Sequence, residues 1–236
     1  MEFGAKVVYT FSEDIPLIGG FRLTETLVVM WGISLFLIIS AYLLTRNFQK
    51  VPKGVQNAVE VLVGAIYNLT ASTMGEDKIG FAPYIGTIIL FIAFSNLSGL
   101  FALRPPTADL NTTLSLSLMT FFLIHGSGIR KKGLGKYLKG FSEPFVLLTP
   151  INVIGELATP ISLSFRLFGN LVGGLIIMSL VYIALGNLSA MIGINIPILQ
   201  IGIPVILHGY FDLFSGLLQT FIFTMLSMIF ISGAMD

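Results

Sequence analysis

Two apolar stretches near the end of the chain constrain the fold more than any other feature. Each runs 36 residues, at 151–186 and at 197–232. A straight helix of that length reaches about 54 Å, whereas the hydrocarbon layer of a membrane is about 30 Å thick. Each stretch is therefore either a pair of short crossings or one helix that lies steeply oblique. Because no run of turn residues stands near 170 or 215, we predict two oblique helices joined by residues 186–197.

The composition is typical of a chain solvated by lipid rather than water. Of the 236 residues, 55% are hydrophobic and 11% are charged, where a soluble domain carries about 25% charged residues. The formal net charge of +1 supplies no long-range field that would collect nucleic acid, so no nucleic-acid partner is expected. The chain has no cysteine, which excludes a disulfide framework and a cysteine-ligated metal site.

The first half of the chain divides into four segments of different character. Residues 1–26 are mixed and polar and are expected to form an exterior arm, and residues 27–45 are apolar enough to form the first span. Residues 52–74 combine an apolar face with a polar edge, which predicts a helix on the membrane surface. A crossing helix with a few polar residues is the alternative for that segment. Residues 81–129 predict a helical hairpin, because prolines mark a turn in its middle.

A basic loop at 130–142 predicts the orientation of the chain. Its basic residues are Arg130, Lys131, Lys132, Lys136 and Lys139. Since cytoplasmic loops carry an excess of Lys and Arg, we expect this loop and the carboxyl terminus in the cytoplasm and the amino terminus outside. Residues 143–236 then hold the two long tilted helices. The predicted fold is a single-domain, all-α integral membrane protein with about five transmembrane helices and one interfacial helix.

Arg166 is a charged residue in the middle of an apolar stretch, and this position requires an explanation. It stands 15 residues after the start of the first long stretch and 20 before its end, with no acidic residue three or four positions away. An arginine keeps its proton in proteins, and at the centre of a membrane helix it costs about 2.5–3.5 kcal/mol. Such a residue usually faces a cavity or an ion path. Snorkelling to the interface or a structural pairing is the alternative.

Other polar and small residues share the face of the first long helix that carries the arginine. Ser162 and Asn170 lie one turn on either side of it, and Glu156 lies slightly off this face. Gly169 and Gly173 form a GxxxG pair, which lets another helix approach closely. That helix belongs either to this chain or to a partner. The face therefore predicts either a path for an ion or a packing surface.

The second long helix carries a matching polar stripe. His208, Asp212, Ser215 and Gln219 recur at steps of four, three and four. An acid and a base on one helical face can relay protons or hold a cation, whereas structural hydrogen bonding is the alternative for each residue separately. Antiparallel pairing of the two long helices would bring the stripes face to face. We predict that together they line aqueous half-paths for an ion.

The sequence contains none of three common motifs of hydrolases and nucleotide-binding proteins. It contains no HExxH, no GxSxG and no glycine loop that ends in Gly-Lys-Ser/Thr, so metalloprotease, serine hydrolase and nucleotide-binding functions lack their essential groups. His208 and Asp212 could ligate a metal, but two ligands without a third are a weak signal. No metal site and no cofactor are predicted.

Three segments resemble subunit a of the F-type ATP synthase, the stator of an ion-driven rotary motor. ELATPISLSFRLFGN at 156–170 resembles the arginine helix of that family. PPTADLNTTLSLSL at 105–118 resembles its outer-loop segment, and LLQTFIFTMLSMIFIS at 217–232 resembles its closing helix. The segments occur in the family's order and, with the inferred crossings, cover nearly the whole chain.

The resemblance implies that the two long helices lie obliquely against a rotating ring of c subunits, each with an ion-binding carboxylate. Arg166 matches the essential arginine that attracts this carboxylate and separates two offset half-channels, and Asn170 and Gln219 match polar partners near it. Many members carry an ionisable residue nine positions after the arginine, where this chain has Leu175, and another seven positions before the closing glutamine, where it has Asp212. The ion path is therefore expected to depend mainly on Asp212 together with the histidine one turn before it.

The resemblance also implies a place in a larger complex. ATP is made in other subunits, so the chain is not an enzyme by itself although it belongs to one. The expected partners are the c-ring, peripheral stalk subunit b, the other ATP synthase subunits, membrane lipid and the transported H⁺ or Na⁺, in a bacterial plasma membrane. A secondary transporter is the alternative, but no inverted repeat is visible. A scaffold protein would leave Arg166 unexplained.

Overall fold

The computed structural model describes the chain in six stretches. They are residues 6–10, 20, 22–101, 103–143, 145–191 and 199–236. Within them the chain is almost wholly helical. The α-helices are α1 Glu25–Thr45, α2 Val55–Met74, α3 Ala82–Leu97, α4 Leu110–Lys132, α5 Leu134–Gly140, α6 Thr149–Met191, α7 Leu199–His208 and α8 Gly216–Met235. Short 3₁₀ turns lie at Glu76–Phe81, Ser98–Phe101, Pro106–Ala108 and Val146–Leu148.

Five helical segments in the described part of the chain are long and apolar enough to cross a membrane. They are Glu25–Thr45, Glu76–Phe101, Leu110–Lys132, Val146–Met191 and Gly202–Met235. These segments confirm the prediction of an all-α membrane fold with about five spans. α2 begins at Val55, three residues later than predicted, because Pro52 and a left-handed Gly54 (φ 57°) precede it. Its position at the membrane surface remains a prediction.

Part of the predicted arm is more ordered than expected. Strand β1, Val7–Thr10, pairs antiparallel with strand β2, Arg22–Thr24. Residues 1–5, 11–19 and 21 of the arm lie outside the described residues. Helix α1 follows β2 directly, and the Thr24 hydroxyl caps it by accepting a hydrogen bond from the Leu27 amide at 3.4 Å.

The loop predicted at 130–142 is mostly helical, and in this respect the prediction is wrong. Its first three basic residues complete the last turn of α4, which ends at Gly133 with φ 79°. The next seven residues form α5. The ring of Tyr137 packs where a side chain at Gly128 would stand, and its hydroxyl lies 2.6 Å from Nδ1 of His125. These contacts hold α5 against α4. The sequence pattern around Tyr137 does not predict its contacts with Gly128 and His125.

The first long apolar stretch forms one uninterrupted helix, as predicted. α6 has 43 residues, which is about 65 Å and twice the hydrocarbon thickness. It continues past Gly186, because a single glycine costs a helix only about 1 kcal/mol. The predicted connection at 186–197 therefore begins only after Met191, and residues 192–198 lie outside the described residues. How steeply α6 lies in the membrane remains a prediction.

The second long stretch is helical from Leu199 onward, but it is not a uniform α-helix. Between α7 and α8 the seven residues Gly209–Ser215 form a π-helix, which we call the π-segment. The predicted long helix is present as one helical segment over Gly202–Met235, but its backbone is not α-helical throughout. A π-helix has wider turns than an α-helix and is frequent at functional sites. It changes the direction in which Asp212 and Ser215 project.

The core joins α3, α4, α6 and α8. One cluster contains Ile88, Ile92, Leu116, Leu163, Leu167 and Phe223, and none of these side chains is more than 9% exposed. Small hydroxyl residues seal the helix contacts, as between Thr113 and Ser164, whose oxygens lie 3.0 Å apart. Helices in membranes associate through such close packing and interhelical hydrogen bonds. α6 therefore packs with one side inward and leaves its other side exposed.

The end of the chain is tied to the turn before α3. Lys78, only 8% exposed, makes an ion pair with Asp236 and donates to the Ser232 hydroxyl at 2.9 Å. The hydrogen bond from Lys78 lowers the pKa of Asp236 below its usual range. This anchor fixes the carboxyl end of α8 beside α2.

Candidate functional site

Arg166 lies on the exposed side of α6. The neighbouring residues Leu163 and Leu167 are buried in the core and set the rotation of the helix, so Arg166 points outward. Within the described part of the chain, no ion pair or hydrogen bond to Arg166 is found. A permanent charge therefore stands on the flank of a membrane-spanning helix without a counter-charge among the described residues.

The surface around Arg166 is open. Ser162, one turn before it, is exposed. A methyl group added at Gly169 or Gly173 would meet no atom within 4 Å, whereas at Gly174 it would touch the ring of Phe211 at 3.4 Å. The predicted GxxxG pair therefore receives no helix among the described residues, and Gly174 makes the internal contact instead.

The two polar stripes meet at one point. The Ser215 hydroxyl donates to Oδ1 of Asn170 at 3.1 Å, which joins the π-segment to α6 one turn beyond Arg166. Gln219 is 5% exposed, and its amide nitrogen has no hydrogen-bond partner in the described structure. Gln219 and Arg166 are not joined by a hydrogen bond there. The stripes therefore confront each other as predicted, but through Asn170 and Ser215.

Beyond that meeting point, three titratable residues form a chain of contacts. Nδ1 of His208 lies 2.5 Å from a carboxylate oxygen of Asp212, and Nε2 of His208 lies 3.1 Å from the hydroxyl of Tyr182 on α6. The Asp212 side chain is 15% exposed and that of His208 is 37% exposed. A methyl group at Gly99 would lie 3.6 Å from the Asp212 carboxyl carbon. Sequence reasoning missed Tyr182, because it stands in an apolar run with no motif around it.

Glu156 lies at the other end of α6, away from this chain of contacts. It borders a cavity of about 820 Å³ between α4, α5, α6 and α8. The polar residues that line this cavity are Lys132, Lys136, Tyr137, Asn152, Glu156 and Thr159. Burial, and secondly the negative charge of Glu156, raise the pKa of Tyr137. Pro160 cannot donate to the Glu156 carbonyl, so the helix backbone is locally open beside the cavity.

The polar residues of the candidate site are spread along α6 and are not gathered around one point. In the part of the chain that the structure describes, no group of three His, Asp or Glu side chains could hold a metal ion. The polar residues form two separate regions along α6, one around Glu156 and one around Tyr182, His208 and Asp212. The exposed arginine stands between them.

Comparison with known proteins agrees over most of the chain. The family model of the ATP synthase A chain matches residues 27–232. The chain is 38% identical to the sodium ion specific ATP synthase subunit a of Propionigenium modestum, over 91% of this chain and 75% of that protein. It is 41% identical to ATP synthase subunit a 1 of Syntrophotalea carbinolica, over 87% and 83%. Subunit a of Moorella thermoacetica is 32% identical over 93% and 94%.

These matches agree with the order of the three segments that suggested the resemblance and with the five apolar helices of the structure. They favour the stator over the secondary transporter. Other subunits of an ATP synthase are therefore its partners, and a membrane is its location. The chain belongs to the F-type ATP synthase subunit a family, whose members are integral membrane subunits of the ion-translocating sector.

Proposed function

We propose that Arg166 faces the c-ring and separates two aqueous half-channels, so that an ion crosses the membrane only by riding on the ring. One observation carries this proposal. Arg166 is exposed on a membrane-spanning helix and has no counter-charge among the described residues. Because a guanidinium keeps its proton, Arg166 requires a counter-charge, which none of the described residues supplies. A carboxylate on a neighbouring subunit supplies it.

The strength of this attraction suits a moving partner. At about 4 Å and an effective dielectric constant near 20, a guanidinium and a carboxylate attract by about 4 kcal/mol. That energy favours release of the ion from a ring site as the site reaches Arg166. It is small enough for the next ring site to replace the first as the ring turns. The open surface at Gly169 and Gly173 lets ring helices come close to α6.

The positions of the two polar regions support two offset half-channels. Glu156 precedes Arg166 by ten residues and Tyr182 follows it by sixteen, which is about 15 Å and about 24 Å along the helix. We assign the inner half-channel to the cavity at Glu156. We assign the outer half-channel to the region of Tyr182, His208 and Asp212. From there the contact between Ser215 and Asn170 leads toward the arginine.

The remaining partners follow from the same assignment. Peripheral stalk subunit b holds the chain still against the torque of the ring, and membrane lipid covers the flanks that no subunit covers. The carried ion is H⁺ or Na⁺. Specificity for sodium is part of the name of the Propionigenium modestum relative, and for this chain Na⁺ remains one of two candidates.

Cross-linking tests the contact with the ring. The chain has no cysteine, so a Ser162→Cys variant of the assembled ATP synthase carries a single thiol on this subunit. A photoreactive maleimide placed there is expected to capture one c subunit, identified by mass. The control is Leu35→Cys on α1, which is 58% exposed but lies on another helix. Capture of the c subunit from position 35 and not from 162 would overturn the proposed contact.

Accessibility tests the orientation. Lys136 lies on α5, next to the carboxyl end of α4, and Asp109 caps the amino end of α4. The length of α4 separates the two ends by about 35 Å. A membrane-impermeant thiol reagent is expected to reach Lys136→Cys only from the cytoplasmic side and Asp109→Cys only from the opposite side. Labelling is measured on sealed vesicles of both orientations. The reverse pattern would contradict the charge argument and exchange the two half-channels.

A further inference from the structure

Asn96 occupies the last turn of α3 and is fully buried. Its amide nitrogen donates to the Gly216 carbonyl at 2.8 Å and to the Thr220 hydroxyl at 3.1 Å. Its amide oxygen accepts a hydrogen bond from the Thr107 hydroxyl at 2.7 Å. All polar atoms of this side chain are therefore engaged, as a buried amide requires. These bonds join α3 to the nearby 3₁₀ turn Pro106–Ala108 and to the start of α8, which lies 120 residues further along the chain.

The bonds end where the π-segment becomes α8. Gly216 is the first residue of α8, and a methyl group there would lie 3.2 Å from Cβ of Asn96. The backbone of α8 therefore approaches α3 so closely that any larger residue at position 216 would press against Asn96. π-Helices are rare and occur mostly as single turns inside α-helices. A fixed partner at the junction determines where such a turn ends.

The turn that follows α3 contacts the middle of the π-segment. Gly99, in the 3₁₀ turn Ser98–Phe101, lies beside the Asp212 carboxylate, and a methyl group at Gly99 would stand 3.6 Å from its carboxyl carbon. α3 and this turn thus contact the π-segment at its centre and the residue directly after its end. Two contacts from consecutive elements constrain both the position and the rotation of the segment between them.

We propose that Asn96 is a positioning residue that holds the π-segment in register, so that Asp212 faces His208 and Ser215 faces Asn170. Asn96 itself touches neither of these pairs. Thr107 holds the amide oxygen and thereby orients the amide nitrogen toward Gly216. The expected effect of Asn96 on ion transport rests on the proposed ion path through Asp212 and Ser215. Its effect on the register of the π-segment does not depend on that proposal.

A disulfide reporter measures the register directly. Cβ of Phe211 in the π-segment lies 3.5 Å from the position of a Cβ at Gly174 on α6, within the separation of about 3.5–4.5 Å that a disulfide requires. The pair Gly174→Cys and Phe211→Cys is therefore expected to cross-link on oxidation in the assembled ATP synthase. A second pair, Thr113→Cys and Ser164→Cys, replaces oxygens 3.0 Å apart and reports the α4–α6 contact away from the π-segment.

The test combines these reporters with ATP-driven ion uptake into vesicles. Asn96→Leu keeps the branched shape and the number of heavy atoms of the side chain but removes all three hydrogen bonds. We expect it to slow cross-linking at 174/211 by about tenfold or more, to leave the 113/164 pair unchanged, and to slow ion uptake to a similar extent. Thr107→Val removes one bond and is expected to give a smaller effect, and it keeps the test available where Asn96→Leu does not assemble.

Ser227→Ala is the matched control, because Ser227 is buried on α8 and hydrogen-bonded like Asn96 but lies away from the π-segment. It is expected to change neither cross-linking nor uptake. Unchanged cross-linking at 174/211 in Asn96→Leu would overturn the positioning role, and so would an equal loss at 113/164. Slower cross-linking at 174/211 alone, with normal uptake, would support the positioning role and contradict the proposed ion path instead.

Discussion

Arg166→Ala is expected to abolish ion-coupled ATP synthesis while the complex still assembles. The side chain is exposed and makes no ion pair or hydrogen bond among the described residues, so its removal leaves no buried partner unpaired. On the proposed function, what is lost is the attraction of about 4 kcal/mol for a ring carboxylate. A loss of that size corresponds to about a thousandfold in an equilibrium constant.

The measurement is ATP synthesis driven by an imposed ion gradient in vesicles, at matched content of assembled complex. Arg166→Lys is the informative companion, because it keeps a cation but lacks the planar guanidinium and loses its proton more readily in an apolar environment. We expect it to be badly impaired as well. Phe165→Ala changes an exposed neighbour on the same helix and serves as the control for altered surface packing. ATP synthesis near normal in Arg166→Ala would refute the proposed role.

Asp212→Asn is expected to slow ion transport by about a hundredfold. A carboxylate in a wet cavity can exchange protons or attract Na⁺, and an amide of the same shape can do neither. The change also removes the acidic partner of His208, whose Nδ1 lies 2.5 Å from the carboxylate. Ion flux is measured against Ser227→Ala as the control for a buried substitution. Normal flux in Asp212→Asn would reduce Asp212 to a structural hydrogen-bond partner.

A second substitution tests whether positions 175 and 212 border the same pocket. The resemblance implies that many family members carry an ionisable residue at each of these positions. Leu175 and Asp212 directly follow Gly174 and Phe211, which would touch at 3.4 Å if position 174 carried a methyl group. Leu175 is 40% exposed, so a longer acidic side chain has room there. We expect Leu175→Glu, added to Asp212→Asn, to restore flux at least fivefold, about 1 kcal/mol. Absence of recovery in the double variant would mean that the positions do not share a pocket.

The features that could be predicted from the sequence are those that depend on neighbours along the chain. Five spans, one long helix at α6 and a lone arginine on it follow from hydropathy and from a period of 3.6 residues. Both properties are read within a window of about twenty residues. The stripes that contain Asn170 and Asp212 follow in the same way, although their roles come from the resemblance and from the proposed ion path.

The features that could not be predicted depend on residues far apart in sequence. Asn96 and Gly216 are 120 positions apart, and their hydrogen bond marks the end of a π-helix that no local pattern announces. Tyr182 meets His208 because α6 and α7 pack side by side. α5 was expected to be a loop, since a basic segment with glycines indicates an orientation but not a helix packed through Tyr137.

The sequence by itself therefore determined which segments are long and apolar enough to cross the membrane and which polar residues share a helix face. Only the tertiary structure decided which polar residues meet, namely Asn170 with Ser215 and His208 with Tyr182, while Arg166 stays unpaired within the described part of the chain. The physical reason is that helical periodicity is a local property of the chain. The rotation and register of one helix against another depend on side-chain packing across the bundle, including the close approach that Gly174 and Gly216 allow.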